Sequence, residues 1–184
     1  KTTKTTKTTK TTKKTKKTKK AKRAKKDQEF EKASPYLEVA WKGTRGPGRK
    51  AEFAYQVGYT RYRMGKWRSS LDCLALTARE DNKLGQNAIY HMADCYIQLG
   101  QKDKARNAFG RCAAKNYDLD IMEDALFSYA KLAFELSYNP FDDAITAFTT
   151  YIEKYESGEL GFNELLVCNA DLYFAMEDTV SILL

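Results

Sequence analysis

Two glycines, Gly65 and Gly100, stand 35 residues apart, and each closes a stretch with helical apolar periodicity. The stretches are AEFAYQVGYTRYRMG and NAIYHMADCYIQLG, and each glycine is followed by a second such stretch, KWRSSLDCLALTA or QKDKARNAFGRCAA. The 35-residue offset also relates the small pairs Gly58/Ala93 and Ser70/Ala105 and the larger pair Leu74/Phe109. A fixed period of this size means that one supersecondary unit is stacked on copies of itself. Two helices of about 12–15 residues joined by a glycine turn pack antiparallel, with small residues where the backbones come closest. One hairpin cannot bury its apolar stripe alone, so stability comes from stacking on the next.

A third unit, EDALFSYAKLAFELSYNPFDDAITAFTTYIEKYE, keeps this order with a longer turn. Ala130 follows Ala93 by 37 residues and Ala144 follows Ala105 by 39, which places two extra residues at Tyr138-Asn139-Pro140. Proline cannot continue the first helix and suits the entry to the second. The predicted organisation is therefore a second helix of a partial hairpin at 27–43, hairpins at 50–80, 85–116 and 121–156, and a partial fourth repeat or divergent tail at 160–184. In the partial hairpin, Phe30, Ala33, Leu37 and Ala40 share one face. TRGPGRK, Thr44 to Lys50, is expected to be a connecting loop, and one amphipathic helix is expected over about Phe162 to Met176.

The turn glycine, Trp67 after it, the small residues at the eighth and twentieth helical positions, and the closing aromatics Phe109 and Phe148 resemble a tetratricopeptide repeat (TPR) over about residues 28–155. The resemblance implies an all-α fold, with antiparallel helical hairpins stacked as a right-handed solenoid. NAIYHMADCYIQLGQKDKARNAFG and EDALFSYAKLAFELSYNPFDDAITAF further resemble long periplasmic or outer-membrane-associated TPR proteins of Bacteroidetes-type bacteria. That second likeness implies a cell-envelope location and membership of a multi-protein complex.

In the TPR family the first helix of each hairpin lines a concave groove. On that frame the fifth position holds Tyr55, Tyr90 and Phe127, the ninth Tyr59, Asp94 and Lys131, and the twelfth Tyr62, Ile97 and Phe134. The expected site is an aromatic ladder that holds another protein as an extended segment, a helix or a neighbouring subunit, since tyrosine offers apolar area and a polar tip. The competing reading for each aromatic is core between hairpins. Positions that carry Lys, Arg and Asn in carboxylate-capturing TPR domains hold Tyr55 and Tyr59, then His91, then Asp124 and Ser128, so that clamp is missing.

The net charge of +8 is divided along the chain. Residues 1–26 hold 14 of the 32 Lys and Arg and no acid, which leaves 18 basic against 24 acidic groups from residue 27 onward. The first segment contains only Lys, Thr, Arg and Ala and has no apolar face of its own. It fits a polybasic arm that binds nucleic acid or anionic surfaces by counterion release, an expression tag, or a stand-in for an unidentified stretch. The repeat pattern places the first helix of the partial hairpin at roughly 14–26, and an all-polar helix cannot serve there; this argues against a nucleic-acid partner.

Chemistry finds little support. His91 is the single histidine, and its pairing with Cys95 one turn on is weighed as a nucleophile pair against a chance helical neighbour. Cys73, Cys95, Cys112 and Cys168 lie 22, 17 and 56 residues apart, which is no metal-ligand spacing, and are read as buried thiols. Asp118, Asp120, Glu123, Asp124, Asp142 and Asp143 lack the order of a calcium loop and are read as helix starts. The expectation is a non-catalytic chain with no cofactor, no metal and no transmembrane segment.

Overall fold

The computed structural model describes residues 27–136, 142–155 and 162–182 of the 184. Eight helices are present among them and no strand: α1 (27–43), α2 (Pro47–Arg63), α3 (Trp67–Thr77), α4 (Lys83–Gln98), α5 (Lys102–Ala113), α6 (Leu119–Leu136), α7 (Asp142–Lys154) and α8 (Phe162–Ile182). The 35-residue glycines prove to be one turn built twice. Gly65 and Gly100 are the two residues with positive φ, 73° and 71°, among the described residues. The Gly65 N–H donates to Tyr62 O and the Lys66 N–H to Arg61 O, at 3.0 and 2.9 Å. Gly100 N–H to Ile97 O and Gln101 N–H to Tyr96 O repeat those distances. Both are Schellman turns, in which a residue without Cβ enters the left-handed region to satisfy the last helical carbonyls.

The small residues mark the closest approach within each hairpin. Ser70 hydroxyl donates to Gly58 O at 2.7 Å, and a Cβ added to Gly58 would lie 2.8 Å from Leu74 Cγ. Ala93 and Ala105 in the second hairpin, and Ala130 and Ala144 in the third, are fully buried at the equivalent places. Leu74, Phe109 and Phe148 fill the core beside them. The apolar interior forms two clusters, one centred on Leu74, Ile89 and Phe109, the other on Phe148, Tyr151 and Leu165.

A second device recurs where the open ends of the hairpins meet. Thr77 hydroxyl donates to Ala51 O at 2.8 Å. Thirty-five residues on, the Cys112 thiol donates to Gln86 O at 3.6 Å, and in the third hairpin the Tyr151 hydroxyl donates to Glu123 Oε1 at 3.2 Å. Hydroxyl, thiol and phenol thus close three hairpins at one structural position. Gln86, fully buried, adds a link between hairpins. Its Nε2 donates to Lys115 O at 2.7 Å, with Cys112 O and Asp118 O at 3.3 Å, and its Oε1 accepts from the Asp118 N–H at 2.8 Å.

Several expectations need correction. The Gly-Pro-Gly stretch is helix from Pro47 onward, and only 44–46 connects α1 to α2. The reason is local: proline fits the first helical turn, where its missing N–H would have had no partner. In the tail, α8 runs past Met176 to Ile182. The four residues expected to share one face of α1, Phe30, Ala33, Leu37 and Ala40, are all half-buried, while Tyr36 and Val39 on the same helix are 78% and 72% exposed. The long turn at Tyr138-Asn139-Pro140 and the segment 1–26 lie outside the described residues. All four thiols are free; Cys73, Cys95 and Cys112 are buried as expected, while Cys168 is half-buried.

Candidate functional site: the face of the first helices

The first helices of successive hairpins touch one another, α2 against α4, α4 against α6 and α6 against α8. Among the described residues, the second helices α3, α5 and α7 make no such contact. The first-helix side is therefore the inner, tighter side of a curved stack, and the residues expected to bind a partner lie on its helices.

They do not form one continuous ladder. Tyr55, Tyr59 and Tyr62 stack along α2, with ring centroids 6.1 and 6.0 Å apart. The ring of His91 on α4 lies against all three, at 6.2, 4.9 and 5.0 Å. Tyr62 hydroxyl reaches across to Asp94 Oδ2 at 3.1 Å, joining the first hairpin to the second. Tyr90 turns one edge to Phe109 in its own hairpin, at 5.7 Å, and donates its hydroxyl to Asp124 on α6. Tyr55 and Tyr90 both pack on the first core cluster, so each serves packing as well as the face. Further along, Phe127 meets Tyr151 at 6.0 Å and carries Lys131 over its ring at 5.3 Å. At the twelfth positions, Ile97 and Phe134 keep 37% and 38% exposure, and Phe134 packs on Phe148 at 5.8 Å.

Between α2 and α4 the face opens into a cavity of about 550 Å³. Tyr59, Tyr62 and Arg63 form one wall and Tyr90, His91 and Asp94 the other, with Asp27 of α1 at the end. Arg63 is matched there: Asp27 Oδ1 lies 2.8 Å from its Nη2, and its guanidinium covers the Phe30 ring at 5.2 Å. A hydrogen bond with Tyr59, more than the Asp27 pairing, holds the Arg63 pKa above its ordinary value. Asp94 and His91 are perturbed by burial in opposite senses. The carboxyl is raised from 3.8 to about 6, mainly by desolvation, with the Tyr62 hydrogen bond opposing and Asp124 reinforcing. The imidazole is lowered from 6.5 to about 4 by desolvation, and its buried Nδ1 has no hydrogen-bond partner. Burial also pushes the Tyr55 and Tyr62 phenols up to about 12.

Sequence reasoning left His91 and Asp124 outside the expected site. His91 adjoins Tyr90 at the next groove position, a signal that the family frame contained but that a lone histidine on a helix did not make prominent. Asp124 was expected to start a helix, and so was Glu123; instead they accept the Tyr90 and Tyr151 hydroxyls. Asp118 does serve the start of α6, accepting the Ile121 N–H at 3.4 Å and pairing with Lys83 at 2.9 Å. Asp120 stands in the first turn of α6, and Asp142 and Asp143 in that of α7.

The nucleophile-pair reading of His91 and Cys95 conflicts with their surroundings. The Cys95 thiol is fully buried and pushed up by desolvation, with a Ser70 hydrogen bond opposing, so it resists ionisation. A histidine at about 4 is a weak base for it. Among the described residues, no group of three or more His, Cys, Asp or Glu side chains could hold a metal, and no helix is long and apolar enough to cross a membrane.

Residues 87–117, which span α4, the Gly100 turn and α5, match the tetratricopeptide repeat family. No curated protein and no solved structure matches the chain significantly. The hairpins on either side of that match share its register of small buried residues, so the described residues form an all-α stack of helical hairpins that contains a tetratricopeptide repeat at 87–117.

Proposed function

We propose that the chain is a non-catalytic scaffold that holds another protein, as an extended segment or a helix, along the face of α2, α4 and α6. The observation that carries this reading is the inward curvature of the first helices, with the apolar Ile97 and Phe134 open on α4 and α6. Large apolar side chains beside tyrosine hydroxyls suit a partner that contributes both apolar contacts and backbone hydrogen bonds. A solenoid of tetratricopeptide repeats is a protein-interaction architecture, and its concave surface is long relative to its mass.

The finer part of the proposal is that the partner belongs to a multi-protein complex of the bacterial cell envelope. The likeness of the second and third repeats to periplasmic and outer-membrane-associated proteins supports it. The test is capture of partners from envelope and soluble fractions by the wild type and by an Ile97→Glu/Phe134→Glu variant. Loss of the same envelope protein from the variant, with its helicity unchanged, is the expected result. Equal capture by both proteins overturns the groove, and capture confined to the soluble fraction overturns the envelope assignment.

A further inference from the structure

The cavity between α2 and α4 has an uneven charge inventory. Among the described residues its one cation is Arg63, which pairs with Asp27 at 2.8 Å. Asp94 faces the same space, and among the described residues no cationic side chain pairs with it: Tyr62 hydroxyl satisfies one oxygen at 3.1 Å, and His91 Nδ1 stands 4.0 Å away, with the imidazole held neutral. Asp124 adds a second carboxylate behind Tyr90, whose hydroxyl it accepts. A carboxylate can accept about four hydrogen bonds, and Asp94 takes one from Tyr62, which leaves it capacity for a further donor. The Tyr59 and Tyr62 rings line the same space beside it. An anionic group would meet the Asp94 carboxylate, and an apolar one would desolvate that carboxylate without giving it a donor. What the described residues do not supply to this space is an uncommitted positive charge that carries several N–H groups.

We propose that this cavity seats an arginine or lysine side chain of the protein segment held on the concave face, its charge against Asp94 and its apolar stem along the Tyr59 and Tyr62 rings. The inference rests on the scaffold reading for the source of that side chain. The cavity's own chemistry can be tested without the partner. The repeat body is acidic, with 18 basic against 24 acidic groups from residue 27 onward, which favours the approach of a basic segment. On this assignment the aromatic stack of α2 confers selectivity on a groove whose other exposed contacts, Ile97 and Phe134, are apolar.

The probe is N-acetyl-arginine methylamide, with N-acetyl-citrulline methylamide as its neutral isostere, titrated into the full chain and followed by NMR of the aromatic rings. The expected result is saturable movement of the Tyr59, Tyr62, Tyr90 and His91 resonances in roughly the millimolar range. Citrulline should bind at least about tenfold more weakly. Asp94→Asn should weaken arginine to the citrulline level, while Tyr62→Phe, which frees the carboxylate oxygen, should retain binding or strengthen it. Equal response to arginine and citrulline, no response to either, or undiminished arginine binding by a folded Asp94→Asn variant overturns the cation site. None of these results bears on partner capture through Ile97 and Phe134, so failure of the cavity and failure of the scaffold reading are separable.

Discussion

Asp94→Asn removes a charge while keeping an oxygen for the Tyr62 hydroxyl, and it isolates one half of a compensating pair. His91 and Asp94 lie one helical turn apart with side chains 18% and 28% exposed, and burial shifts them toward each other on the pH axis. Between about pH 4 and 6 the folded pair holds one proton, on the carboxyl. The unfolded pair also holds one, on the imidazole. Stability depends on pH only where the two states bind different numbers of protons, so the wild-type pair contributes little slope in this window. In Asp94→Asn only the histidine remains, neutral when folded and protonated when unfolded from about pH 4 to 6.5. The unfolded chain then binds more protons, so stability rises with pH, by about 3 kcal/mol at roughly 1.4 kcal/mol per tenfold in proton affinity. His91→Phe keeps the ring contacts and leaves the opposite case. A carboxyl raised from 3.8 to about 6 retains a proton that the unfolded chain has lost, so stability falls with rising pH across that interval. The size is about 2 kcal/mol, because the partly open carboxyl is screened by solvent. Urea unfolding of the three proteins at pH 4, 5, 6 and 7 measures both slopes, and other titrating groups cancel in the differences. Parallel pH profiles for wild type and Asp94→Asn would refute the reasoning.

Gly100→Ala meets no atom within 4 Å, so its cost is conformational alone: about 1 kcal/mol by chemical denaturation. Gly58→Ala places a methyl 2.8 Å from Leu74 Cγ, and overpacking should outweigh the gain in helix propensity for a net loss of about 1–2 kcal/mol, with Leu74→Ala as partial suppressor. Gln86→Leu strips the Asp118 N–H and the Lys115 carbonyl of their buried partner and should cost about 3 kcal/mol in thermal or urea unfolding. Removal of residues 1–26 should leave the unfolding midpoint of the repeats unchanged and abolish any salt-sensitive DNA binding; DNA affinity that persists would locate that binding in the repeats.

The features legible in the sequence are those with few chemical solutions. A left-handed turn closing a helix calls for glycine, and a backbone approach under a Leu74-sized neighbour calls for Gly, Ala or Ser, so Gly65/Gly100 and Gly58/Ala93/Ala130 carry the repeat openly. The tie at the open end of each hairpin was not visible, because Thr77, Cys112 and Tyr151 perform the same act with unlike side chains. Pro47 misled because Gly-Pro-Gly suits both a loop and a first helical turn, and only the neighbouring helix decides between them. The groove was legible by position and not by environment: Tyr55 and Tyr90 occupy one register, yet one joins a tyrosine stack while the other divides itself between Phe109 and Asp124. An acidic residue near a helix start reads as a cap, and for Asp124 only the approach of Tyr90 from the previous repeat gives it another task.

Gln86 belongs by sequence to the second hairpin, but its side-chain carbonyl receives its N–H from Asp118, at the threshold of the third. A chain cut after Ala113 would preserve a whole repeat by length and still bury an amide oxygen stripped of that donor. Dividing the protein at this boundary therefore costs the Gln86 amide its partner. Where counting suggests interchangeable modules, hydrogen bonding ties the second hairpin to the start of the third, and rearrangement of the array by repeat exchange would have to respect that join.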